Sequence, residues 1–257
     1  MRLASSVLVL ALAGCSLQIS GNHRPVGKVD APIADAAGIE RVEIENVAGK
    51  ITVRACAAAD AAVKAEVLLT EDRPESDFRA DFASHVEVRR EGKRLIVKNR
   101  HADTSDQNDW QLHLEVAVPA GVALDIEQAA GIVDVALPSS RDIAVANAAG
   151  EIAVDVPALD GKLVAHGSTG EIDVRIAERG PTGGCDLDCA AGNVTLTLPQ
   201  DVAGSFDLGA TVGNVSVADR FGLQTEREIT SARARGKVGT GEATFRARTA
   251  TGNVTVR

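Results

Sequence analysis

Aromatic residues are scarce in this chain of 257 residues, at 2% of the total, with five Phe, one Trp and no Tyr. Sugar-binding clefts and grooves for single-stranded nucleic acid rely on such side chains for stacking. Basic residues are also in the minority, with 27 Lys and Arg against 36 Asp and Glu and a net charge of −9. A protein of this charge repels phosphate backbones. The composition therefore argues against a lectin and against a nucleic-acid partner.

Long apolar runs are missing as well, apart from a short one at the N-terminus, where residues 1–15 read MRLASSVLVLALAGC. A single positive charge, a short apolar run and small residues before a cysteine are typical of a secretory signal. The run is too short to span a bilayer. We therefore expect residues 1–14 to be a signal peptide.

The last four residues of this segment, Leu-Ala-Gly-Cys, resemble the lipobox of bacterial lipoproteins, in which the cysteine is lipidated and becomes the new N-terminus. The resemblance implies lipidation at Cys15, and two or three acyl chains there would anchor the protein stably. Ser16 follows, and resemblance to lipoproteins of two-membrane bacteria, in which the absence of Asp at this position favours the outer membrane, implies transport there. An ordinary signal peptide with an incidental cysteine is the alternative. We expect a lipid-anchored protein of the bacterial cell envelope.

Residues 15–38 are polar, contain Gly and Pro and show no hydrophobic period, which predicts a flexible tether. Charge is unevenly distributed over the rest of the chain. Residues 219–257 carry eight basic and four acidic groups, a local balance of +4 in an acidic protein.

One short phrase with a central glycine recurs along the chain. Its copies are VAGKITV (47–53), AAGIVDV (129–135), AAGEIAV (148–154), STGEIDV (168–174), AAGNVTL (190–196), TVGNVSV (211–217) and ATGNVTV (250–256). From Gly131 the glycines follow at steps of 19, 20, 22 and 21 residues, and the last step, to Gly252, is 39. We interpret that last step as two periods with a degenerate copy around Gly236. Such spacing is the signature of a repeat protein.

The residues around each glycine alternate in hydrophobicity. The second, fourth and sixth residues after it are apolar, as in Val133, Val135 and Leu137. Each repeat therefore predicts strand, bend, strand with one face inward. Units of about 20 residues that cannot bury a face alone must stack, so we expect an all-β, single-domain parallel β-solenoid with regular coils over residues 121–257. An up-and-down barrel of antiparallel hairpins is the alternative.

Residues 39–120 are less regular and are predicted to form the N-terminal strands and cap of the same domain. Residues 39–55 are a first copy of the repeat, and AAVKAEVLLT (61–70) and WQLHLEVAVP (110–119) predict strands. HVEVRREGKRLIVKN (85–99) predicts a hairpin through Glu91, Gly92 and Lys93. Pro74 predicts the start of a short helix that would close the open end of the solenoid.

The repeated G-[NED]-[IV]-x-[VL] phrase, the strand WQLHLEVAVPAGVALDI leading into it and the lipoprotein leader together resemble the bacterial putative-adhesin family of toast-rack or head-GIN type. The resemblance covers residues 38–257. It implies a right-handed β-solenoid on the cell surface. Its motif is structural, because glycine corners and alternating valines describe a solenoid and not a catalytic site.

Motifs of catalysis are missing from the sequence: it has no G-x-S-x-G, no H-E-x-x-H, no P-loop and no G-x-G-x-x-G that opens a helix. We therefore expect a protein that is not an enzyme and has no cofactor. A polysaccharide-acting enzyme on a parallel β-helix is the catalytic alternative. The scarcity of aromatic residues argues against the substrate cleft that such an enzyme needs.

Three cysteines and two amides lie within the repeats. Cys185 and Cys189 share the inward register, and in an extended strand their Cα atoms are about 13 Å apart, beyond disulfide reach, so we expect small core residues. Cys56 falls on the outward side after the first repeat.

Gln128 and Asn147 both stand three residues before a glycine, so we expect their amides to be adjacent and to bond along the solenoid axis.

One outward cluster has residue types that bind metals. Asp186 and Asp207 stand six residues before successive glycines, and His166 and Asp188 stand four before theirs. We expect these four side chains close together on one face, where repulsion between stacked carboxylates could favour a divalent cation. A solvated acidic face is the simpler interpretation, because hard cations need six or more oxygen ligands.

These patterns predict a non-enzymatic envelope lipoprotein that displays a rigid β-solenoid for interaction with an envelope or surface protein or polymer. An accessory subunit of an envelope-stress or transport system, bound to its partner through the basic C-terminal segment, is the main alternative.

Overall fold

The computed structural model describes residues 24–69, 86–99 and 110–257. Its strands are β1 (Arg24–Pro32), β2 (Arg41–Ala55), β3 (Ala62–Leu69), β4 (Val86–Glu91), β5 (Arg94–Asn99), β6 (Trp110–Val118), β7 (Ala123–Ala136), β8 (Ser139–Ser140), β9 (Ile143–Asp155), β10 (Ala158–Leu159), β11 (Lys162–Arg175), β12 (Gly184–Ala191), β13 (Val194–Thr197), β14 (Gly204–Val212), β15 (Val215–Val217), β16 (Thr225–Arg227), β17 (Ala232–Val238), β18 (Ala243–Thr251) and β19 (Val254–Val256). Short 3-10 turns span Ala36–Gly38, Ala58–Asp60 and Asp219–Phe221. No helix in these ranges is long and apolar enough to cross a membrane.

Three expectations fall outside the described residues. They are the signal peptide, the lipidation site at Cys15 and the short helix after Pro74.

Parallel stacking of the repeats confirms the predicted solenoid. The strands β2, β7, β9 and β11 each run through a glycine corner and pair in parallel with the next. Gly49, Gly131, Gly150 and Gly170 lie in register along this stack. A 17-stranded sheet results, and short pairs such as β8 with β10 link the coils where they turn.

The core lies between the two faces of each coil, in the predicted register. Val133, Val135 and Leu137 are almost fully buried, as are the equivalent residues of the following coils. The intervening residues face solvent or are half-buried. Burial of this kind contributes about 25 cal/mol per Å² of apolar surface, so stacking provides the stability that no single coil could have.

The last repeat of the sequence is not the last coil of the stack. β18 and β19 lie between two earlier coils, because they pair with β12 and β13 on one side and with β14 and β15 on the other. The residues around Gly236 belong to β17, which pairs antiparallel with β14. The prediction of a degenerate coil around Gly236 is therefore wrong, because these residues form an antiparallel strand and not a further parallel coil. The C-terminal strand instead fills the space between the coils of β12 and β14.

The N-terminal end of the stack is built by residues that lie between the first two repeats in the sequence. β2 is the first full coil, as predicted, and β5 and β6 pair in parallel with its two halves. β4 and β5 form the predicted hairpin, with a turn at Gly92 and Lys93. β3 joins β6, and β1 joins β3, both antiparallel.

Part of the segment predicted as a flexible tether, residues 15–38, is a strand. Residues 24–32 form β1, which pairs with β3 from Arg24 opposite Leu69 to Pro32 opposite Ala62. Ala36 in the following turn is buried. The polar composition of this segment is that of an edge strand, where Pro and Lys prevent pairing with further strands.

Side chains at the inner corner bond to the backbone of the neighbouring coil. Gln128 and Asn147 lie in register, as expected. Their amides do not bond to each other: Gln128 Nε2 donates to the carbonyl of Gly49 at 2.8 Å and Asn147 Nδ2 donates to that of Gly131 at 2.9 Å. Thr249 repeats the pattern in a later coil, donating to the carbonyl of Gly192 at 2.9 Å. The ladder therefore runs from side chain to glycine carbonyl.

Candidate functional site

The four residues of the predicted metal cluster do not form one cluster. His166 and Asp188 are neighbours in register, as expected. Asp186 and Asp207 are not neighbours, because Arg246 of the inserted strand β18 lies between them in register. The described residues contain no group of three or more His, Cys, Asp or Glu side chains that could hold a metal ion. The expected repulsion between stacked carboxylates is replaced by attraction to an arginine.

Asp207 is held by two arginines. Arg235 Nε of β17 donates to Asp207 Oδ1 at 2.9 Å, and Arg248 of β18 donates to Oδ2. Burial raises the pKa of Asp207, but hydrogen bonds and charge from both arginines outweigh burial, so the net pKa is lowered. Asp207 therefore remains an anion and fixes Arg235 and Arg248 on either side of β14.

These arginines belong to a wider cationic area at the C-terminal end of the stack, which we name the distal basic surface. It consists of Arg233, Arg235 and Lys237 on β17 and Arg246 and Arg248 on β18. Their side chains point away from the core, since each alternates with a buried residue or lies at the end of its strand. The sequence showed a basic segment, and the structure gathers five of its cations on one face.

A groove of about 430 Å³ crosses the distal basic surface. Its floor is Gly209, which lies in register between Arg248 on one side and Arg233 on the other. Thr211, Thr230, Ser231, Asp207 and Glu228 complete its walls. A residue without a side chain between two arginines leaves room for an anionic group, which both guanidinium groups could reach.

The loop between β16 and β17 exposes an apolar side chain beside this groove. Ile229 is fully exposed, and Val212 at the neighbouring corner is 51% exposed. The two segments are joined where the backbone N–H of Gly213 donates to the carbonyl of Thr230 at 3.0 Å. Exposed apolar residues next to cations can contact a surface with an apolar interior and an anionic rim.

At the opposite end of the stack, which we name the proximal end, several charged side chains are paired with each other. Glu40 and Glu45 each accept a hydrogen bond at 2.5 Å, from Lys93 and Lys98 respectively. The hydrogen bond from Lys93 lowers the pKa of Glu40, and the one to Glu45 raises the pKa of Lys98. Within the described ranges, by contrast, no ion pair involves Arg233 or Lys237 at the distal end. Arg233 and Lys237 thus lack ion pairs within the distal basic surface, as does the exposed Lys64 at the proximal end, among the residues that the structure describes.

A second, shallower groove of about 640 Å³ follows the outer side of the glycine corners. Small residues form its floor, including Ala129, Ala148, Ser168 and Ala190. Glu127, His166 and Asp188 stand along it. His166 and Ser168 both line this groove, but within the described residues no hydrogen bond joins His166 to Ser168 or to its neighbour Asp188, as a base and nucleophile would need.

The cysteines lie where the register places them. Cys185 and Cys189 are free and buried, as predicted. Burial raises the pKa of Cys185 to about 12 and also raises that of Cys189. Cys56 is less outward than predicted, because it packs against the core and burial raises its pKa too. None of the three thiols is activated as a nucleophile.

Sequence reasoning missed the position of Arg246 and Arg248. One signal could have indicated it: Gly-Asn occurs at residues 192–193, 213–214 and 252–253 and in no other repeat. The structure stacks these asparagines, since Asn193 Oδ1 accepts from the backbone N–H of Asn253 and Asn253 Oδ1 accepts from that of Asn214, both at 3.1 Å. The asparagines therefore stack in the order Asn193, Asn253, Asn214, which is the order of their coils in the stack.

Solved structures with a similar arrangement come from bacteria. A "putative cell adhesion protein" from Clostridium sporogenes is 10% identical, with a TM-score of 0.40, and the similarity covers 91% of this chain and 99% of that one. A "putative adhesin" from Bacteroides fragilis is 8% identical, with a TM-score of 0.40 and coverage of 90% and 96%. A "putative lipid binding protein" from Parabacteroides distasonis is 12% identical, with a TM-score of 0.37 and coverage of 92% and 98%.

No curated protein matches the sequence. The family model described as Toastrack DUF4097 matches residues 114–257, from within β6 to the last residue. This stretch contains the glycine corners from Gly131 onward, the inserted C-terminal strand and the distal basic surface. Because the match spans more than half of the chain, the protein belongs to the Toastrack DUF4097 family.

Proposed function

We propose that this protein is a non-enzymatic lipoprotein of the bacterial cell envelope that displays its β-solenoid as an adhesin-like interaction scaffold. Lipid at Cys15 would anchor it, in the outer membrane, and the distal basic surface would contact an envelope or surface partner. The lipobox, the family membership and the distribution of charge along the stack support this proposal.

The observation that carries the proposal is the separation of the two ends. β1 begins nine residues after Cys15 and lies at one end of the stack. From β1 the strand order passes through β3, β6, β2, β7, β9, β11, β12, β18 and β14 to β17. At about 4.8 Å per strand, this stack is on the order of 50 Å long. A chain anchored at Cys15 would thus present the distal basic surface far from its own anchor.

The distribution of titratable groups supports a scaffold over an enzyme. Active sites usually gather groups of shifted pKa in one cleft. In the described part of the chain, the shifted groups are dispersed: Cys185 and Cys189 in the core, Cys56 against it, His113 on β6, Glu40 and Lys98 in ion pairs of the proximal end, and Asp207 between two arginines.

The anchor is tested by replacing Cys15 with Ser in the full chain. We expect the parent protein to partition into detergent and to fractionate with the outer membrane. The Cys15→Ser variant should be released or should accumulate unprocessed. A variant that still partitions with detergent would contradict the anchor.

The interaction surface is tested by reversing charge on the intact lipoprotein. We expect Arg233→Glu with Arg235→Glu to abolish co-purification of envelope components that the parent captures. The matched control is Arg175→Glu with Arg179→Glu, two exposed arginines outside the distal basic surface. Equal capture by the parent and the Arg233 and Arg235 variant would exclude this surface.

The distal basic surface also favours a second candidate, an accessory subunit of an envelope-stress or transport system. Such a subunit would lose its one partner on charge reversal, while attachment of whole cells to surfaces would be unchanged. An adhesin would lose attachment as well. Measuring both properties on the same variants distinguishes the two functions.

A further inference from the structure

The groove over Gly209 lies across three neighbouring strands. At one register position the two outer strands each have an arginine, and the middle strand has a glycine. Arg248, Gly209 and Arg233 are in register on β18, β14 and β17. Neighbouring strands lie about 4.8 Å apart, so the two arginine Cα atoms are about 10 Å from each other. The nearest atom to a Cβ added at Gly209 would be Arg233 Cγ, at 4.0 Å. The space between the arginines is therefore open at its floor.

The arginines differ in how they are held. Arg248 gives one donor to Asp207 and keeps the others, and Arg235 is fixed by the same carboxylate. Arg233 makes no ion pair or hydrogen bond with any other described residue, and it is exposed. Glu226 of β16 lies opposite Arg233 in register but forms no ion pair with it. The groove thus combines two guanidinium groups held by Asp207 with a third that makes no ion pair. Guanidinium pairs of this kind match the oxygens of a phosphate group in charge and geometry.

Two features at the rim influence what the phosphate could be attached to. Ile229 is fully exposed and Val212 half-exposed beside the groove, so the ligand offers an apolar region next to its anionic group. Glu228 also lines the groove, where its carboxylate accepts a hydrogen bond from Ser231 at 3.0 Å and opposes binding of an anion. A phospholipid surface has both the phosphate and the apolar layer beneath it.

We propose that the groove over Gly209 binds the phosphate of an anionic phospholipid headgroup, with Arg233 and Arg248 on the phosphate and Ile229 in the interface. The inference rests on the proposed function, because it names the ligand of the same distal basic surface. The stack holds this surface on the order of 50 Å from β1.

The test uses the full chain carrying Cys15→Ser, so that the lipid anchor does not contribute to vesicle binding. Flotation with vesicles of phosphatidylglycerol and phosphatidylcholine is compared with vesicles of phosphatidylcholine alone. We expect binding only to the first. Arg233→Gln should weaken it roughly fivefold, the usual effect of one basic residue near an anionic membrane. Glu228→Gln should strengthen it, because it removes a negative charge from the groove.

Matched controls separate a built site from general attraction. Arg175→Gln removes the same charge from the other face and should change vesicle binding little. Ile229→Ser should weaken vesicle binding while leaving the binding of inorganic phosphate, measured by calorimetry, unchanged. Equal losses of vesicle binding in the Arg233→Gln and Arg175→Gln variants would overturn the proposed site. Binding of inorganic phosphate without binding of anionic vesicles would overturn the lipid as its source.

Failure of this inference can be told from failure of the proposed function. If the anionic vesicles do not bind while charge reversal still abolishes co-purification from the native envelope, the lipid is wrong and the scaffold stands. If neither vesicle binding nor co-purification depends on Arg233, both the lipid ligand and the proposed interaction surface are wrong.

Discussion

The carbonyl oxygen of Gly131 occupies the space that a Cβ atom on Gly150 would need. Gly150 has φ of 126°, a conformation that residues with a side chain rarely adopt. The same relationship joins Gly150 to Gly170 and Gly170 to Gly192. The glycine column of the sequence is therefore a column of close backbone contacts, one per coil, and the corner carbonyls are held there by the inner side chains.

Gly150→Ala should destabilise the protein by more than about 3 kcal/mol, because it combines a strained φ with a clash against the backbone of the next coil. The matched control is Gly167→Ala, three residues before a corner. A Cβ atom at Gly167 would meet its nearest neighbours at 3.7 Å, which is ordinary contact. Chemical unfolding of both variants checks the prediction. Similar midpoints for the two would contradict the role assigned to the corner.

Gly167 is also a gap in the ladder of inner side chains. Its neighbours in register are Asn147 and Cys189, whose side chains bond to the carbonyls of Gly131 and Gly170. Gly167→Ser should place a hydroxyl within reach of the carbonyl of Gly150, as Thr249 does for Gly192. We expect about 0.5–1.5 kcal/mol of added stability.

The Gly167→Ala variant isolates the hydrogen bond in that experiment. It provides the loss of backbone freedom in the unfolded chain without the hydroxyl. The Gly167→Ser variant should therefore have a higher free energy of unfolding than the Gly167→Ala variant. Equal stability of the two variants would show that the serine hydroxyl does not reach the carbonyl.

Most of the solenoid could be predicted from the sequence because its signals are local. Glycine at each corner and apolar residues at alternate positions are required within one coil, so the register of Val133 or Ile172 could be derived without a structure. The hairpin of β4 and β5 was predictable for the same reason, since Gly92 provides the positive φ of its turn.

The order of the coils could not be derived in this way, because it depends on contacts between coils of similar pattern. Val194 would pair as well with Val215 as with Val254, its actual neighbour. Chain order favours the former, and the structure has the latter. The predicted pairing of Asp186 with Asp207 was wrong for this reason, and the distal basic surface was seen only as a basic segment.

Removal of residues 241–257 should therefore leave a gap inside the stack, because it removes β18 and β19 from between two other coils. Phe245 is fully buried and stacks on Phe206 with ring centroids 4.8 Å apart, and β18 pairs with both β12 and β14. We expect the truncated chain to lose hydrogen-exchange protection in β12, β13 and β14. The strands β7 and β9 should remain protected, because coils contact only their neighbours.

If β12 and β13 kept full protection after this truncation, the inserted position of β18 would be contradicted. Loss confined to the amides of β14 would be the result expected for a terminal coil stacked in chain order. Phe245→Ala should lower stability by about 3–5 kcal/mol without removing the strand, and gives an independent measure of the same packing.

Thiol reactivity should follow burial. The pKa of Cys185 is raised to about 12, so its thiol is protonated and inaccessible in the folded protein at pH 8. We expect Cys56 to react first with iodoacetamide in the Cys15→Ser chain. Cys185 and Cys189 should react only as the protein unfolds. Mass spectrometry of peptides against time checks the order, and modification of Cys185 at the rate of Cys56 would contradict the core position.

The ion pairs of Asp207 should contribute to stability in a way that depends on pH. The folded-state pKa of this carboxyl is lowered, so its contribution is present above the unfolded pKa of about 3.9 and is lost as pH falls through the folded value. Asp207→Asn should therefore destabilise the protein at pH 7, and its difference from the parent should shrink below about pH 4. The matched control is Asp173→Asn, an exposed carboxyl that makes no ion pair with the described residues. We expect that control to have little effect at pH 7. A difference for Asp207→Asn that stays constant from pH 7 to pH 3 would show that its two arginines do not stabilise the folded state through charge.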